Sequence, residues 1–141
     1  MTIDYDIELF FSQYCAEFNL LDGERIAQYY ALPSGLAQNG QYIHWRDFDA
    51  LKSNMLDLCH FYTANAYKKA TFIISSMIKQ GANHAIAHLY WTIERADLAP
   101  WTFHTSYNLI DTEPNRTEPN RTEQGWRILL CTAYEEFSLA I

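Results

Sequence analysis

Residues 82–94 read ANHAIAHLYWTIE, which sets Ala85, Ala87, Leu89, Trp91 and Ile93 on one side of an extended backbone and His84, Ile86, His88, Tyr90 and Thr92 on the other. A two-residue period is the strand period. Residues 100–111 (PWTFHTSYNLID) and 125–136 (GWRILLCTAYEE) repeat it, with the aromatic and β-branched side chains that suit a pleated, half-buried surface. Another strand begins near Tyr67, and Gln80, Gly81, Ala82 and Asn83 supply the turn that follows it. The second half of the chain is therefore expected to form one antiparallel sheet.

The first half changes period. Ile3, Ile7, Phe10, Phe11, Tyr14, Phe18 and Leu21 recur at steps of three and four, predicting a helix over about residues 3–20 with Asp4 and Asp6 at its positive end. Tyr14 lies in the middle of that stripe, so its hydroxyl needs a partner or a cavity. Asp22 caps a second helix, with Ile26, Tyr29 and Tyr30 as its buried side and Pro33 as its end. Short strands over 34–38 and 41–45 flank Asn39-Gly40, a dipeptide suited to a type I′ hairpin turn. Asp47 or Asp49 caps a third helix whose apolar stripe is Phe48, Leu51, Met55, Leu58 and Tyr62. His60 falls opposite that stripe and reads as a surface residue, and His44, isolated on a short strand, reads as solvent-exposed or hydrogen-bonded in a structural role.

At 141 residues the chain suits one domain, residues 1–141, with a single core. Residues 112–123 (TEPNRTEPNRTE) hold a five-residue unit twice and begin it a third time, reading as a hairpin loop lengthened by duplication. The net charge is −7, and the ten Lys and Arg are scattered without a basic stripe, which argues against nucleic acid as a partner. Cys15, Cys59 and Cys131 are odd in number and far apart, as expected of buried thiols in a reducing compartment. The acidic N-terminal stretch lacks a basic, apolar leader, and no apolar run reaches membrane-spanning length. The expectation is a soluble, cytoplasmic protein without membrane contact.

The order helix, Asp-Gly break, helix, hairpin, helix and long antiparallel strands resembles the NTF2-like superfamily, in particular its SnoaL-like branch. FNLLDGERIAQYYAL (residues 18–32) is similar to the family's junction between the first two helices, and QGWRILLCTAYEE (124–136) to its closing strand. The resemblance implies an α+β cone: three N-terminal helices packed on a curved antiparallel, mixed-edge sheet, a pocket at the open end, and dimers formed through the outer sheet face. The pattern favours a homodimer independently, because Leu89 and Trp91 on one face and Ile86 and Tyr90 on the other leave both faces apolar, and helices cover only one.

Members resembling ketosteroid isomerase place an Asp base in the stretch that here reads LPSGLAQNG, where Gln38 or Asn39 stands and neither takes a proton. Tyr14 matches the helix-one tyrosine that donates to the oxyanion in that group. Members resembling scytalone dehydratase carry a His where Thr71 stands here, with Ser106 matching a polar contact further on. His88 and His104 remain as candidate catalytic bases, since both lie mid-strand between apolar neighbours. If the hairpin over 96–100 pairs Thr92 with His104, then His88, Tyr90, Thr92, His104, Ser106 and Asn108 share one face, and that polar face is expected to line the pocket. The candidate pocket residues are then Tyr14, Tyr30, Met55, Tyr90 and Ser106. Two histidines without a third ligand predict no metal, and nothing calls for a cofactor. The reading is a pocket protein for a small, largely apolar, ring-bearing molecule, with general acid/base activity of isomerase, cyclase or lyase type in prospect; the alternative is a non-catalytic dimeric association module.

Overall fold

The computed structural model describes residues 4–112 and 125–137, so the repeat segment beyond Thr112 lies outside the described residues. The elements run α1 (Tyr5–Asn19), α2 (Gly23–Ala27), β1 (Tyr30–Gln38), β2 (Gln41–Trp45), α3 (Phe48–Ala64), β3 (Tyr67–Gln80), β4 (His84–Arg95), β5 (Leu98–Asp111) and β6 (Trp126–Phe137). They form an α+β fold around one six-stranded sheet of order β2-β1-β6-β5-β4-β3. The sheet is mixed. β3 to β6 are antiparallel neighbours, β1 and β2 form an antiparallel hairpin, and β1 joins β6 in parallel.

Each helix starts on an aspartate whose carboxylate accepts from backbone N–H groups that would otherwise lack partners. Asp4 accepts from Asp6 and Ile7 at 2.9 and 3.2 Å, Asp22 from Arg25 at 3.1 Å, and Asp47 from Ala50 at 2.9 Å. A cap of this kind stabilises a helix by about 1 kcal/mol. Asn39 and Gly40 take φ of 53° and 75°, as the β1–β2 hairpin requires.

The second helix is shorter than its sequence suggests. It ends at Ala27, and Tyr30 belongs to β1, where it pairs with Ile128. The ladder to β6 outweighs a one-turn helix that buries little by itself. Pro33 does not end that helix; it lies inside β1, in a bulge between Tyr30 and Gly35 where no ladder bond needs its missing N–H. The Leu32–Pro33 peptide is cis.

Along β4 and β5 the odd-numbered residues are buried and the even-numbered ones half-buried, from Ala85 to Ile93 and from Trp101 to Leu109. The helices lie on the odd face: Phe11 of α1 packs on Tyr107 with ring centroids 4.9 Å apart and on Phe72 at 6.4 Å. Asn19, at the end of α1, fastens the start of β3. Its Oδ1 accepts from the Ala70 N–H and the Tyr67 hydroxyl, both at 2.7 Å, while its Nδ2 donates to the Ala70 carbonyl at 3.1 Å. Cys15, Cys59 and Cys131 are all buried, and none is in a disulfide. Among the described residues no helix is long and apolar enough to cross a membrane.

The contact between α2 and α3 leaves no space for a side chain at Gly23. A Cβ there would stand 2.8 Å from the Leu56 backbone nitrogen and 2.9 Å from the Met55 carbonyl oxygen. Backbone on both sides cannot rotate away as a side chain would. Gly23→Ala is therefore expected to destabilise the fold by about 1–3 kcal/mol, the usual cost of overpacking. Urea unfolding would measure it, and an unchanged midpoint would refute the close approach.

Candidate functional site

Between the helices and the odd face of the sheet lies a cavity of about 370 Å³. Tyr14 and Phe18 of α1, Tyr30 of β1, Trp45 of β2, Met55, Phe61 and Tyr62 of α3, Trp91 of β4, Phe103 and Tyr107 of β5 and Cys131 of β6 line its walls. Several follow from a periodicity already visible in the chain: three-four steps put Tyr14 and Phe18 on one stripe of α1, and alternation puts Trp91, Phe103, Thr105 and Tyr107 on the inner face of two paired strands. Asn54, Asp57, Phe61 and Ile43 also line it and are partly or fully exposed, so the cavity opens past α3 and β2.

Few polar groups face the interior, and most are paired. The Tyr14 and Tyr30 hydroxyls hydrogen-bond each other at 2.8 Å, and the Trp91 indole N–H donates to Thr105 Oγ1 at 2.9 Å. Burial holds the Tyr14 phenol well above the ordinary tyrosine value, with the neighbouring Tyr30 and Tyr107 adding to the effect. Burial does the same to Tyr30 and Tyr107. At neutral pH these three phenols are uncharged donors and acceptors.

The structure divides the candidate residues between two faces. Tyr14, Tyr30 and Met55 line the cavity; His88, His104, Tyr90 and Ser106 do not. The latter four alternate with the cavity residues along β4 and β5 and lie on the opposite, outer face. The two histidines do share a face, although the pairing differs from the expected one. A tight turn at Ala96 and Asp97 pairs Thr92 with Thr102 and Tyr90 with His104, a shift of two residues that preserves sidedness. The correction concerns which face the helices cover. Sorting polar from apolar residues was right, but helices bury the more apolar face, so the cavity formed there and the polar face turned outward.

On that outer face His104 lies between two tyrosines, 4.9 Å from the Tyr90 ring and stacked at 5.4 Å on Tyr134. Its Nε2 is 3.3 Å from Glu135 Oε2, an ion pair when the imidazole is protonated. His44 and His60 are exposed. Among the described residues no group of three His, Cys, Asp or Glu side chains converges as a metal site would require. Trp91, Phe103, Thr105, Tyr107 and Cys131, cavity residues outside the sequence-based set, carry their signal in the alternation, which does not say which face the helices cover.

No family model matches the chain, and no curated protein sequence matches it. Solved structures do. An NTF-2-like protein of unknown function from Shewanella oneidensis MR-1 is 15% identical, with a TM-score of 0.68 over 91% of this chain and 95% of that one. A domain of unknown function with a cystatin-like fold from Nostoc punctiforme is 12% identical, with a TM-score of 0.69 over 98% and 82%. A ketosteroid isomerase-like protein from Erwinia carotovora atroseptica is 13% identical, with a TM-score of 0.62 over 90% and 91%. At these identities the likeness defines the fold: this chain has the NTF2-like, cystatin-like α+β fold.

The buried phenols give the protein an alkaline limit. A buried phenol with a raised value keeps its proton while the unfolded chain loses it, so the stability is fully present below about pH 10 and is lost as pH rises beyond it, by about 1.4 kcal/mol per pH unit for each such tyrosine. The double variant Tyr14→Phe/Tyr30→Phe removes two of these groups. Its stability difference from the wild type, measured by urea unfolding, is expected to shrink between pH 9 and pH 11. A constant difference across that range would contradict the burial of both phenols.

Proposed function

We propose that the protein binds a small, largely apolar, ring-bearing molecule in this cavity, with a hydrogen-bond-accepting atom of the ligand set against the Tyr14–Tyr30 pair. The observation that carries this reading is that hydroxyl pair in the wall of an otherwise aromatic cavity. Two hydroxyls bring two hydrogens, and their mutual bond uses one. The second is a donor in a low-dielectric wall, where an unmet hydrogen bond is costly and a ligand acceptor is correspondingly favoured. The volume falls in the range of small-molecule sites, and the walls are mostly ring and methyl surface with few polar groups, as such sites usually are.

Chemistry of the isomerase, cyclase or lyase type needs a base beside the ligand. His88 and His104 face away from the cavity, and Gln38 lines it where a carboxylate would serve. Binding is therefore the better-supported half of the reading, and Asp57 is the one carboxylate among the described lining residues from which proton transfer would have to start.

A second reading, association through the sheet, draws on the outer face. Ile73 and Ile78 are 66% and 57% exposed there, beside half-buried Ile86 and Tyr90. Apolar side chains in that density favour a covering surface, and a second copy of the same face is self-complementary about a two-fold axis. The NTF2-like homodimer is thus our proposal for the quaternary state, compatible with a ligand in the cavity on the other side of the sheet. Nothing in the reading calls for nucleic acid, and the acidic surface with a soluble, cytoplasmic setting accords with it.

Binding is tested by thermal denaturation with 2-tetralone and 2-naphthol, both ring compounds carrying a single oxygen. A ligand at 100 times its Kd stabilises by about 2.7 kcal/mol, which raises Tm by several degrees. Tyr14→Phe/Tyr30→Phe, which removes both hydroxyls but keeps the rings, is expected to weaken binding roughly fivefold. No stabilisation by either compound would remove the reading. For the quaternary state, light scattering at micromolar concentration is expected to give twice the chain mass, reduced to one by Ile73→Arg/Tyr90→Glu; a monomeric wild type would end that proposal.

A further inference from the structure

The charge of the ligand follows from the lining. Among the described residues around the cavity there is no lysine, arginine or histidine, and the one carboxylate is that of Asp57, exposed at the mouth on α3. The three buried phenols stay neutral. A carboxylate or phosphate entering this space would leave its hydration for walls that hold no counter-charge, which disfavours it.

A cation meets the opposite situation. The rings of Tyr14, Phe18, Tyr30, Trp45, Phe61, Tyr62, Trp91, Phe103 and Tyr107 surround the space, and aromatic faces carry negative charge density that attracts ammonium groups. The fold uses the same attraction elsewhere: the Arg95 guanidinium lies 4.2 Å from the Trp101 ring centroid and the Lys79 ammonium 5.1 Å from that of Trp126. Phe61 stacks on Trp101 at 5.6 Å, so one ring of the mouth abuts the ring that Arg95 covers. The net charge of −7 enriches cations around the protein before any contact is made.

We propose that the cavity selects an aryl or cyclic amine, taken as the ammonium, with its ring among the cavity aromatics and its protonated nitrogen at the mouth beside Asp57. The proposal rests on the ring-binding part of the reading above, makes no use of the acceptor at the tyrosine pair, and adds the charge. Asp57 at the entrance, not a deep residue, supplies the counter-charge. A fully desolvated carboxylate would cost more than the pair returns, whereas an exposed one keeps part of its hydration while it faces the ammonium.

The test is titration calorimetry at pH 7.4 with three compounds that share a ring and differ in charge: 1-naphthylmethylamine, 1-naphthylmethanol and 1-naphthoate. The amine is expected to bind about tenfold more tightly than the alcohol, and the carboxylate at least about tenfold more weakly than the alcohol. In Asp57→Asn the amine should lose roughly three- to fivefold in affinity and the alcohol should not change, since an exposed charge pair contributes modestly. The amine's advantage should also fall as salt rises from 0.05 to 0.5 M. Alcohol binding with no preference for the amine, or an amine affinity indifferent to Asp57→Asn, overturns the charge assignment and leaves ring binding intact. Absence of binding by all three overturns both.

Discussion

The structure depends on the burial of one ring. Tyr14 lies in the middle of the α1 stripe, and its ring centroid is within 6.4 Å of those of Phe10, Phe11, Phe18, Tyr29, Tyr30, Trp91 and Tyr107. Those partners come from α1, the α2–β1 connection, β1, β4 and β5. One side chain thereby fixes how the helix, strand β1 and the sheet centre meet. A phenol so placed must have a hydrogen-bond partner, and Tyr30 supplies it at 2.8 Å. That requirement explains why Tyr30 belongs to a strand directed into the core and not to the flank of a helix.

Rings of this size also keep the cavity open. Aromatic side chains have few rotamers and cannot collapse into neighbouring space as methionine or leucine can. A sealed, empty void of about 370 Å³ would cost roughly 9 kcal/mol at ~24 cal/mol per Å³, as much as the entire stability of an ordinary domain. The polar, partly exposed residues Asn54 and Asp57 at the mouth relieve that cost by giving water or a ligand a way in. Opening and chemistry are linked here, because the group that lets solvent approach is the same group that gives the entrance its charge.

The two faces of the sheet hold different residues for one physical reason. Three helices offer enough apolar surface to cover one face, and they take the face with Leu89, Trp91, Ile93, Phe103 and Tyr107. The other keeps His88, Tyr90, His104 and Ser106 in a half-buried layer. The Tyr90–His104–Tyr134 arrangement is thus cross-strand packing on the outside of the sheet, where exposed pairs such as His104 with Glu135 add little to stability.

Period and capping are local properties of the backbone, so the sequence alone carried the long strands, the helix stripes, the Asp22 cap and the alternation of sides along β4 and β5, while it left Asp47 and Asp49 as alternatives for the third cap. It also placed Tyr14 and Met55 on buried stripes, and a turn shifted by two residues left His88 and His104 together, since only odd shifts exchange faces. Which face the helices would cover was decided by the tertiary structure, through competition between two apolar surfaces for one layer of helices. The same level converted Tyr30 from helix to strand, because the pairing of β1 with β6 joins residues almost a hundred positions apart, which no local pattern records. The cavity, and with it the removal of the histidines and the arrival of Asp57 at its entrance, is a consequence of that packing.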